Sequence, residues 1–107
     1  MFVLVDRDFS LNLRETRELK SFKLVSLHPA TMQQRVQRAL DRIHSRLDLE
    51  HAWISIAWIR EQPEVAGDLA WQHQFTGVLG FAERKGWIDT ENKLIRAHIE
   101  WNAMPAA

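Results

Sequence analysis

Arg35, Arg38, Arg42 and Arg46 recur at intervals of three and four residues, a spacing that sets guanidiniums on one side of a helix. Guanidinium forks suit phosphates and carboxylates, so this stripe is a candidate anion- or partner-binding surface. Asp41, His44, Asp48 and His51 form a second line on the same segment, with metal-ligand types at helical spacing. There is no HExxH pattern and no evident third ligand. A solvated face is the expectation there, with no metal and no cofactor.

A second set of residues could do chemistry further along. Gly77 and Gly80 lie inside what reads as a helix from Asp68 to Lys85, and each costs about 1 kcal/mol of helix propensity relative to alanine. Something should offset that by approaching closely: another helix of the chain, a second subunit or a ligand. Packing within the chain is the first expectation, and His73 beside the glycines is the best ligand contact otherwise. His98 falls with Leu94, Ile95 and Trp101 on the apolar arc of an expected last helix. Burial there would favour the neutral imidazole. His73, Gly77, Gly80, His98 and Trp101 together make a candidate pocket.

The elements that must position these groups are legible in outline. Residues 2–5 and 22–27 are rich in strand-favouring types, 9–13 offer a further strand, and 14–20 form a charged connector. Thr31 and Gln34 have capping-box spacing, and Val36, Leu40, Ile43 and Leu47 then recur as one apolar helical stripe. Residues 49–62 fit a strand through Ile54, Ile56 and Trp58, and equally a helix capped by Asp48 and ended by Pro63. Asp68 and Gly86 bracket the next helix as N-cap and stop, with Trp87 folding back on its last turn. Asp89 or Thr90 is expected to open a last helix reaching about Asn102, before a fraying tail of Ala103 to Ala107.

All five tryptophans lie between positions 53 and 101, and tyrosine and cysteine are absent. Trp71, Trp87 and Trp101 are expected to pack the C-terminal helices, and Trp53 or Trp58 to remain exposed as an interface anchor. Fourteen basic and fourteen acidic residues cancel, so no overall field steers the chain to nucleic acid or membrane. Without cysteine there is no disulfide or thiol chemistry. No apolar run is long enough for a bilayer, and a cytoplasmic location is expected. Walker, dinucleotide, nucleophile-elbow and zinc-protease motifs are missing.

The expected architecture is one α+β domain over 1–107: a small N-terminal antiparallel sheet, then three to four packed helices around a Trp-rich C-terminal core. The expected role is that of a protein-binding module, such as an inhibitor, an antitoxin- or immunity-like factor or an accessory subunit. A protein partner would meet the arginine stripe, and a homodimer is one expected assembly. The alternatives are a nucleic-acid-binding protein using that stripe, or a small enzyme or ligand-binding protein with a His/Trp pocket.

Overall fold

Period-two burial writes most of the architecture. The computed structural model describes residues 1–103. Strands β1 (Phe2–Val5), β2 (Leu11–Arg14) and β3 (Lys23–Ser26) come first, followed by a 3₁₀ turn and helix α1 (Gln33–Asp41). Then come β4 (Arg46–Leu47), β5 (His51–Ser55), the short helices α2 (Ile56–Arg60) and α3 (Pro63–Ala66), and the long helix α4 (Leu69–Arg84). Strands β6 (Ile88–Asp89) and β7 (Leu94–Glu100) close the chain.

The strands form one seven-stranded sheet in the order β2-β1-β3-β7-β5-β4, with β6 also paired to β7. It is mixed. β1, β3 and β7 run parallel, while β2, β4, β5 and β6 pair antiparallel. The expected small antiparallel sheet at the N-terminus is therefore corrected: a C-terminal strand occupies the middle of a larger sheet. The expected helix from Asp89 or Thr90 to Asn102 is corrected with it. Ile95, Ala97 and Ile99 turn to the core while Arg96, His98 and Glu100 turn away, a strand pattern that the β-branched isoleucines favour.

One face of the sheet carries all the helices. Val36 and Leu40 of α1, Ile59 of α2, Val65 of α3, and Trp71, Phe75 and Ala82 of α4 join a single buried cluster. That cluster includes Val3, Val5, Leu24, Ala52, Ile54, Ile95 and Ala97 from the strands. A fully buried side chain of this kind contributes about 1.5–3 kcal/mol. The core is not rich in tryptophan. Trp71 alone of the five is fully buried, its Nε1 donating to the Thr16 carbonyl at 2.6 Å; the others are half-buried.

Local chemistry explains the boundaries. Ser55 ends β5 and caps α2, its Oγ accepting from Trp58 N, so residues 51–60 hold a strand and then a helix. Asp68 caps α4 by accepting from Trp71 N. At the other end, Gly86 takes φ 78°, Trp87 N donates to Ala82 O and Gly86 N to Glu83 O, the paired bonds of a Schellman stop.

Helix α1 differs from expectation at both ends. Its N-cap is Met32 with no side-chain cap bond, so Thr31 and Gln34 form no capping box. It ends at Asp41 because His44 takes φ 58° and closes a second Schellman stop, with Ser45 N donating to Leu40 O and His44 N to Asp41 O.

Candidate functional site

The early helix stop divides the arginine stripe. Arg35 and Arg38 lie exposed on α1 and Arg42 at its C-cap, on the helical layer. Arg46 lies in β4, on the other side of the sheet. Arg35 sits 4.4 Å over the Phe9 ring, which stacks on His28 at 3.9 Å. Among the described residues Arg35, Arg38 and Arg42 make no ion pair. The Asp41, His44, Asp48, His51 line is dispersed by the same turn. Asp41 accepts from Gln37 and Asp48 from Trp53 Nε1. Burial pushes the Asp48 carboxyl up, and the donors Trp53, Glu50 N and His51 N outweigh it and hold it below its ordinary value. Among the described residues no group of three or more His, Asp or Glu is placed to hold a metal.

The face of the sheet away from the helices is the first candidate surface. Half-buried Phe2, Leu4 and Trp53, with buried Val25 and Leu94 among them, lie outside the core cluster and alternate with core-facing neighbours on their strands. Across its far half runs a row of alternating rings and cations. Arg46 and Arg96 flank Trp53 as its register partners on β4 and β7, and Arg96 N donates to the Trp87 carbonyl. Arg46 lies 4.9 Å over the Trp53 ring and Arg96 5.3 Å over Trp87, contacts worth about 0.5–1 kcal/mol each at such exposure. Arg46 also pairs with Asp89 at 3.4 Å. His98 is exposed on this face, 5.5 Å from the His51 ring, and not on a buried apolar arc. Lys23, its register partner on β3, pairs with Glu100 at 3.6 Å.

The second candidate is a groove of about 620 Å³ at one end of the sheet. Phe22, Gly77, Phe81, Trp87, Arg96 and His98 are among the residues around it. Of the five expected pocket residues, it brings together Gly77 and His98. His73 is exposed on α4, a Cβ built on Gly80 would meet the Arg84 guanidinium at 3.7 Å, and Trp101 packs on the core. Nothing within 4 Å meets a Cβ built on Gly77, so the expected close packing within the chain is corrected for that position. Arg96 gives no signal in the sequence, because its segment also satisfies a helical period. Phe81, at 49% exposure, carried a signal: an apolar ring on a helix face that does not reach the core.

No helix among the described residues is long and apolar enough to cross a membrane. In comparisons with protein families, with curated proteins and with solved structures, nothing matches this chain.

Proposed function

We propose that this chain works by binding another protein, as an inhibitor, an antitoxin- or immunity-like factor or an accessory subunit, through the helix-free face of its sheet. One observation carries the reading. All-parallel sheets have both faces covered; here the parallel trio β1, β3 and β7 has every helix on one side, and on the other side Phe2 and Leu4 are only half-buried beside buried Val25. The partner supplies the missing layer. Arg14, Lys23, Arg46 and Arg96 outnumber Asp48, Asp89 and Glu100 on this face by one, so the partner's patch is apolar with carboxylates around it. A second copy would set the same cationic excess against itself, which disfavours a face-to-face homodimer. Arg35, Arg38 and Arg42 offer a separate anionic contact on the helical layer. Nucleic acid is disfavoured here because Arg46 and Arg96 already occupy the ring faces that bases would stack on. A cysteine-free chain suits a reducing compartment, in keeping with a cytoplasmic location.

The test is a quantitative co-purification from the native host with the wild type, Leu4→Glu, and the double variant Arg38→Glu, Arg42→Glu. One stoichiometric protein is expected with the wild type and the double variant, and not with Leu4→Glu. Leu4→Thr, which keeps strand propensity, should retain it partially. A partner held equally by Leu4→Glu, or no stoichiometric protein at all, overturns the reading.

A further inference from the structure

Strand β7 is paired along one edge by two short strands that do not meet. β6 pairs with Leu94 and Ile95, and β3 begins opposite His98. The groove opens at this interval, between α4, the segment leading into β3, and Trp87. The Met1 ammonium anchors that segment by donating to the Glu18 and Ser21 carbonyls, and Trp71 holds it at Thr16. That wall is thus tied to β1 through Met1 and to α4 through Trp71. The volume of about 620 Å³ lies within the range of small-molecule sites.

Three features say what would fit. The lining is apolar along Phe22, Val78, Phe81 and Trp87, and Phe81 meets Trp87 edge-on at 5.9 Å between ring centres. The charged side chains around the groove are Lys20 and Arg96, with no carboxylate, in a chain whose acids and bases are equal in number. Arg96 forms no ion pair among the described residues and is steadied by the Trp87 ring, which leaves its charge unneutralised. Lastly, Gly77 lowers the helix propensity of α4 and contacts nothing that a methyl group would displace. Its open space belongs to the groove.

We propose that this groove binds a small amphipathic carboxylate, with an alkyl or aryl body against Phe81 and Trp87 and its carboxylate at Arg96. A planar guanidinium matches a carboxylate in two parallel bonds. The C-terminal half of α4 lines the groove, and its dipole penalises a dianion such as phosphate more than a singly charged carboxylate, which Arg96 and Lys20 offset. The site shares Arg96 with the face proposed above for the protein contact but does not rest on that reading, and Leu4→Glu tells the two apart.

Decanoate below its micelle concentration is the probe, with decan-1-ol as the uncharged control, followed by calorimetry and by amide correlation spectra. Decanoate is expected to saturate, to shift the amides of Gly77, Phe81, Trp87 and Arg96, and to bind roughly tenfold or more tighter than decan-1-ol. Gly77→Leu should abolish binding with the melting temperature unchanged or raised. Arg96→Gln should lower decanoate affinity roughly tenfold and leave decan-1-ol unaffected. Leu4→Glu should bind decanoate as the wild type does. Absence of saturation, shifts confined to other residues, equal affinity for acid and alcohol, or full affinity in both groove variants overturns the proposal.

Discussion

His44 shows how much one side chain decides. Its backbone lies at φ 58°, a region that costs a residue bearing a Cβ about 1–2 kcal/mol, and the α1 stop depends on it. Gly86 performs the same task at the end of α4 with no such strain. His44 is exposed, so replacing it disturbs no packing. His44→Gly is expected to raise stability by about 1 kcal/mol, since relief of strain exceeds the added freedom of the unfolded chain. Urea denaturation measures it, and a lower midpoint for the variant would show that the imidazole itself holds the turn. The same residue explains why the arginine spacing outruns the helix. Helices usually stop at glycine or asparagine, and nothing in Ile43-His44-Ser45 announces a left-handed turn.

Elements whose ends carry their own chemistry were legible, and the others were not. Asp68, Gly86 and Trp87 mark α4 at both ends, and the structure has the cap and the stop where those residues stand. Phe2–Val5 and Lys23–Ser26 were plain from composition. Residues 94–100 were not, because Leu94, Ile95, His98 and Trp101 satisfy a helical period while Ile95, Ala97 and Ile99 satisfy a strand period. Pairing with β3 and β5 decided between them, which no local signal reports. The groove was half legible for that reason: its α4 side was in view through Gly77, and its β7 side was hidden. The α4 cap also carries a pH dependence. The Trp71 amide foremost, and then Arg17 at 3.0 Å, hold the Asp68 carboxyl below its ordinary value. A group lowered on folding contributes stability that is complete above the ordinary carboxylate range and is lost as pH falls through the folded value. Asp68→Asn is therefore expected to flatten the acid side of the stability profile. Urea midpoints taken from neutral pH downward check this, and an unchanged slope in the variant would assign the acid sensitivity elsewhere.

At the scale of the whole molecule the last strand is the keystone. β7 lies between β3 and β5, so without it the sheet separates into β2-β1-β3 on one side and β5-β4 on the other. The groove, the ring-and-cation row and the parallel trio all use its residues. The pairing is also distant in sequence: Lys23 and His98 are register partners 75 positions apart. Contacts of that kind form after the chain has met the entropy of closing a long loop, so folding should be slow for its size and complete only when β7 docks. A chain ending at Lys93 keeps every helix and most of the apolar residues, yet its two strand groups share no ladder. It is expected to show no cooperative urea transition by circular dichroism, whereas the full chain unfolds in one. A cooperative transition near the full-length midpoint would mean that the helices alone bind the two halves together. In that case β7 would be an addition to a finished core, and the groove along its edge could open without unfolding the protein.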